Sequence, residues 1–206
     1  SEMCIRDRPD VPSNSGCYLP ITISASAGSI LNCSKPASVR MRTRTGWYIH
    51  NALFAALADV LPNQVMAPSG FIGGATVFAH ERSSNGHDGK TYHSWFFNGG
   101  GMGAGTSTDG ISTCIYPSSA SNVPIELFEV AVPVLVEQKE FVIDSGGPGE
   151  QRGGLGLQMA LRKLPTFDGD VTVSLGLHGQ SIPPFGLAGG GEANAAQAYI
   201  LSLIHI

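Results

Sequence analysis

Cysteine is scarce: Cys4, Cys17, Cys33 and Cys114 are the only four in 206 residues. Their wide, irregular spacing matches neither a zinc site nor a small disulfide scaffold, and idle or buried thiols in a reducing cytosol are the expectation. Charge is sparse as well, at 14% of residues, with a formal net charge of −4. That balance disfavours a nucleic-acid binder, which needs a basic patch or stripe. Arg40, Arg42 and Arg44 do cluster, but alternate spacing reads as one solvated face of an extended segment. No apolar run is long enough to span a bilayer; residues 123–136 come nearest and are interrupted by Glu126 and Glu129. A basic stretch followed by an apolar one is missing from the N-terminus, so the expected location is the cytoplasm.

Catalytic signatures are missing too. Neither GxGxxG nor a P-loop pattern occurs. The histidines at 50, 80, 87, 93, 178 and 205 form no HxH, HExxH or His–Cys cluster, so no metal ligand is assigned. His87 and Asp88 sit in a polar loop. No nucleophile elbow or readable triad appears. Glu126 and Glu129, if on a strand, point to opposite faces and make no acid/base pair.

What the chain has is a hydrophobic fraction of 42%, enough for a real core, and 27 glycines. The glycines gather in three clusters: NGGGMGAG at 98–105, SGGPGEQRGGLG at 145–156 and GLAGGG at 186–191. Glycine permits positive φ and close backbone approach, and successive N–H groups can form a nest for a carboxylate or a developing oxyanion. Gly101, Gly103, Ser145, Gly146 and Gly147 are the candidate substrate-binding positions. Tight turns and bulges in a packed sheet account for the same pattern.

Carboxylates stand beside two clusters. Asp109 precedes Gly110, a common turn former. Asp144 closes the apolar run Phe141, Val142, Ile143, and Arg152 follows eight residues later between loop residues. A guanidinium there can grip Asp144 or clamp an anionic substrate bidentately. Asp109, Asp144 and Arg152 are the candidate catalytic residues, the two carboxylates orienting a water or substrate amide and Arg152 holding an anion.

Periodicity predicts one clear helix over 47–61, with Ile49, Leu53, Phe54, Leu57, Val60 and Leu61 on one stripe and Pro62-Asn63 as its stop. Strands are predicted over 20–25, 71–80, 91–98, 125–136, 140–144, 157–162, 171–177 and 196–200. Within 91–97, Tyr92, Ser94 and Phe96 share one face and His93, Trp95 and Phe97 the other. The predicted architecture is β-rich α+β, with mixed or antiparallel sheets, one core helix and glycine-rich loops. Residues 1–8 (SEMCIRDR) and 201–206 (LSLIHI) look like translated sequencing-adapter read-through, so both are expected to be non-native peptides.

In order along the chain, DVPSNSG at 10–16, Pro20-Ile21, GSILN at 28–32, PASVR at 36–40, the helix ending at Pro62, the segment 99–110, PIELFE at 124–129, Asp144 with the cluster at 145–156, and PPFGLAGG at 183–190 resemble the hydantoinase B/5-oxoprolinase family. The resemblance runs over about residues 10–200, and Asp144 with the following cluster is its most specific element. It departs at Leu19, where the family usually has a basic residue, and at His50, where an acidic one is common. The resemblance implies that residues 9–200 are the C-terminal part of a larger subunit. It implies an ATP-dependent amidohydrolase opening cyclic amides or imides such as hydantoins and 5-oxoproline, working with a hydantoinase A-like ATP-binding subunit or fused region. ATP and a divalent metal are expected for the full complex, none within this segment. A related ATP-dependent ketone carboxylase, or a non-catalytic assembly half of such a subunit, are the alternatives.

Overall fold

The computed structural model describes residues 14–39, 42–83, 89–118 and 120–200. The peptides 1–8 and 201–206, Arg40 and the His87-Asp88 loop lie outside them. The chain divides into two compact units, residues 1–45 and 46–206.

In the first unit a short 3-10 turn, Ser15–Tyr18, is capped by the Asn14 side chain, which accepts the Gly16 N–H at 2.8 Å. Residues 20–25 form no strand: Ile21 and Ile23 are exposed and join no sheet among the described residues. A lone antiparallel bridge joins Ser29 and Asn32.

The α+β architecture holds. Helix α1 covers Arg42–Leu57, so Arg42 and Arg44 lie on a helix and not on an extended segment. Strands follow at β1 (Gly73–Glu81) and β2 (Thr91–Asn98). Helix α2 (Ile125–Ala131) precedes β3 (Val134–Phe141), β4 (Leu157–Lys163) and β5 (Gly169–Gly176). All pairing is antiparallel, in a three-stranded sheet of order β2-β1-β5 and a two-stranded sheet of β3 and β4. Residues 196–200 form no strand, and the run at 140–144 leaves β3 at Phe141 to turn at 143–144.

The core lies on one face of the larger sheet. Ala75, Val77 and Ala79 alternate inward on β1, and Phe96 joins them from β2. Tyr92 packs against this cluster while Trp95 stays exposed, the two-faced alternation expected of β2. Facing them is α2, whose Phe128 is 2% exposed and meets Phe96 edge-on with centroids 5.1 Å apart. Residues 125–136 therefore are not one strand. Pro124 opens a short helix with Glu126 in its first turn, Phe128 and Val132 fall four apart on the core side, and Pro133 closes it. The Val136 N–H, at the bulge in β3, donates to the Glu129 carboxylate at 2.7 Å, which gives that glutamate a structural duty.

The helix buried in the core is thus α2. On α1, Asn51 is the buried residue, while Ile49, Leu53 and Leu57, one stripe at i, i+4 and i+8, remain exposed. Cys33 and Cys114 are free thiols.

Candidate functional site

All three glycine clusters converge on one cavity of about 540 Å³ in the second unit. Its wall is formed by parts of 58–70, 100–106, 147–154 and 184–193. The volume falls within the roughly 300–1,000 Å³ usual for small-molecule sites. The turn that follows helix α1 brings Ala58 and Asp59 to this wall, and Pro62 and Asn63 lie in the turn beside it.

The loops are joined backbone to backbone. Gly154 N–H donates to the Met102 carbonyl at 2.9 Å and Gly110 N–H to the Arg152 carbonyl at 2.8 Å. Gly191 N–H donates to the Pro148 carbonyl at 2.7 Å, which ties the third cluster to the second. Glycine is required for this closeness. A Cβ built on Gly103 would lie 1.8 Å from the Ala67 carbonyl oxygen. One on Gly101, whose φ is +87°, would lie 2.3 Å from the Gly154 oxygen. The N–H groups of Gly103, Gly153, Gly154 and Gly191 are therefore spent inside the protein, and the close-packing explanation of the glycines holds for them.

Of the expected substrate-binding positions, Gly101, Gly103 and Gly147 line the cavity. Ser145 and Gly146 stand behind the wall. The Ser145 hydroxyl donates to the Val142 carbonyl at 2.7 Å and accepts the Gly156 N–H at 2.8 Å, closing the base of the loop. Gly146 lies against the backbone of Gly153.

Asp109, Asp144 and Arg152 are brought together, but none of them lines the cavity. The Asp109 carboxylate accepts the Arg152 backbone N–H at 2.7 Å, and the Arg152 guanidinium pairs with the Asp144 carboxylate. Asp144 holds a positive φ of 57°, a conformation that aspartate tolerates in tight turns. The pair is solvated, with Arg152 at 49% and Asp144 at 75% side-chain exposure. The three residues form a clasp around the loop at 147–154.

Sequence patterning missed the residues that fix and charge the wall. Asn51, 4% exposed, accepts the Ser69 N–H at 3.3 Å, and the Ser69 hydroxyl accepts the Gly103 N–H at 3.1 Å. A polar residue on a predicted core helix was the available signal. Asp59 and Glu150 are the acidic residues of the wall, and no Lys, Arg or His lines it among the described residues. His50, one position before Asn51, sits edge-on to Phe54 and Tyr116, and burial lowers its pKa from the ordinary 6.5.

The donor sets for the expected cofactors do not fit here. Among the described residues no three His, Cys, Asp or Glu side chains stand close enough to hold a metal ion. A triphosphate would meet a wall without a cation, whose glycine donors are largely engaged.

Comparison with known proteins decides the family. The hydantoinase B/oxoprolinase family model matches residues 3–204. The chain belongs to the hydantoinase B/oxoprolinase family. It is 31% identical over 184 residues to a protein of Pseudomonas sp. (strain NS671) named as the B component of a D-/L-hydantoinase, covering 87% of this chain and 29% of that protein. It is 29% identical over 185 residues to the beta chain of the caprolactamase of Pseudomonas jessenii, covering 86% and 31%. A 5-oxoprolinase of Dictyostelium discoideum is 26% identical over 196 residues, covering 94% and 14%. The chain thus spans about a third or less of the length of the curated relatives it matches. Among the described residues no helix is long and apolar enough to cross a membrane.

Proposed function

We propose that this chain is part of a cytoplasmic, ATP-dependent amidohydrolase that opens cyclic amides or imides, hydantoins and 5-oxoproline being the parent types. The carrying observation is that the chain's three glycine-rich segments, 98–105, 145–156 and 186–191, all within the stretch the family model matches, meet around one cavity of small-molecule size. In this reading the ring binds in that cavity, against walls of small side chains and backbone that let a flat amide approach closely. Asp109, Asp144 and Arg152 act on it through the loop they clasp, holding the wall at 147–154 in register. In the same reading ATP and the divalent metal are bound by other parts of the complex. A hydantoinase A-like ATP-binding subunit, or a fused equivalent, is the proposed partner; its place is supported by relatives whose names make them single components of multi-chain enzymes.

The test is turnover by the full-length subunit with that partner. The reading requires ring opening that depends on ATP and is indifferent to bicarbonate. Product formation that requires bicarbonate instead identifies the related ketone carboxylase chemistry. Unchanged ring opening after substitutions throughout the cavity wall would make this segment an assembly module.

A further inference from the structure

The charge of the cavity wall bears on which ring it accepts. We infer that the substrate is an uncharged cyclic amide, not a ring bearing its own carboxylate. The inference rests on the proposed function, specifically on the cavity being the ring-binding site.

Cyclic amides of the proposed class differ in one decisive respect. A hydantoin or simple lactam is neutral, whereas 5-oxoproline carries a carboxylate that is ionised at neutral pH. A site for the latter needs a compensating cation, most effectively an arginine fork. The wall here offers the opposite. Its charged residues are Asp59 and Glu150, on two separate segments, and no basic side chain lines it among the described residues. The nearest candidate cation by sequence, Arg152, lies outside the lining and is paired with Asp144. Several of the backbone donors that might replace a cation are committed as well. Gly103, Gly153, Gly154 and Gly191 each donate to a protein oxygen that is part of the loop packing. A carboxylate entering this space meets two like charges and loses hydration without a counter-ion. A neutral amide loses little hydration and needs only one donor and one acceptor, which a wall of backbone and Asn63, Thr106 and Gln151 provides in kind. Glu150 and Asp59 are therefore specificity-determining residues that act by repulsion, rejecting the charged ring more than they attract the neutral one.

The experiment uses the full-length subunit with its ATP-binding partner. It compares 5-oxoproline with 2-pyrrolidinone, the same ring without the carboxylate, and with hydantoin. The expected kcat/KM for 2-pyrrolidinone exceeds that for 5-oxoproline by about tenfold or more. The ratio should shrink as salt is raised from about 0.02 M to about 0.5 M, because screening weakens like-charge repulsion. Glu150→Gln, alone and with Asp59→Asn, should shift the ratio toward 5-oxoproline by about fivefold, and the single variant serves if the double one fails to fold. Preference for 5-oxoproline, or a ratio that ignores both salt and the substitutions, overturns this inference while leaving the proposed function intact. Failure to open any ring overturns the proposed function, and this inference with it.

Discussion

Replacing Gly103 by alanine tests whether the cavity wall is built by backbone contact. The added Cβ would sit 1.8 Å from the Ala67 carbonyl oxygen, where ordinary contact begins at 3.4 Å, so the loop segments of the wall must part by about 1.6 Å. Parting them breaks two bonds that strap the segments together, Ala67 N–H to the Ala104 carbonyl at 2.9 Å and Gly103 N–H to the Ser69 hydroxyl at 3.1 Å. Overpacking costs about 1–3 kcal/mol and each of the two lost bonds about 1 kcal/mol, so a net destabilisation of about 3–5 kcal/mol is expected. For a chain of this size that is a fall in Tm of roughly 6–20 °C. Gly46→Ala is the control, because a Cβ there meets nothing within 4 Å and the position lies in α1. It should be neutral or stabilising by about 0.5–1 kcal/mol. Thermal unfolding of both variants beside the parent reads the difference. Equal melting of Gly103→Ala and the parent would refute the packing argument, as would an equal loss in the Gly46→Ala control.

Phe128→Ala empties the centre of the core and should cost about 3–5 kcal/mol in urea unfolding. Asn51→Ala removes the acceptor for the buried Ser69 N–H and should cost about 1–3 kcal/mol, with faster amide exchange confined to 67–70 and 101–104. Arg152→Ala breaks a solvated pair, so stability should move by no more than about 1 kcal/mol, while turnover of the complete complex falls about tenfold as the 147–154 loop loses its clasp; melting curves measured beside kcat separate the two effects. Burial lowers the His50 pKa below 6.5, so the unfolded chain binds the proton more readily. Stability from this group is present above about pH 6.5 and lost as pH falls through the folded value. His50→Phe should flatten the dependence of unfolding free energy between about pH 5 and pH 7.5.

Much of the fold was legible because local pattern and tertiary context agree. The alternation of Tyr92 and Phe96 against Trp95 places β2 with its faces as observed, and the stripe through Ile49, Leu53 and Leu57 makes a helix. The errors have identifiable causes. Residues 125–136 are apolar enough to read as a buried strand, yet the prolines at 124 and 133 cut out a two-turn helix, too short to be stable alone, that packs Phe128 and Val132 into the core. Residues 20–25 alternate like a strand but find no partner strand among the described residues, and alternation alone does not make a sheet. At the site, the clusters announced themselves through composition, and Asp109, Asp144 and Arg152 do come together. Their separation from the cavity, and the place of Glu150 and Asp59 on its wall, depend on how distant loops cross, which spacing does not encode.

The central claim is that the ring binds where the three glycine loops meet. Thr106 lines that cavity and is exposed, so Thr106→Cys introduces a thiol at its mouth. In the full-length subunit with its partner, modification of this cysteine by a small thiol reagent can be followed by mass spectrometry of its own peptide. A turned-over cyclic amide at saturating concentration should slow that modification by about tenfold or more, while labelling of exposed Cys33 is unchanged. Equal labelling of the Thr106→Cys site with and without a ring that the complex demonstrably opens would contradict the claim.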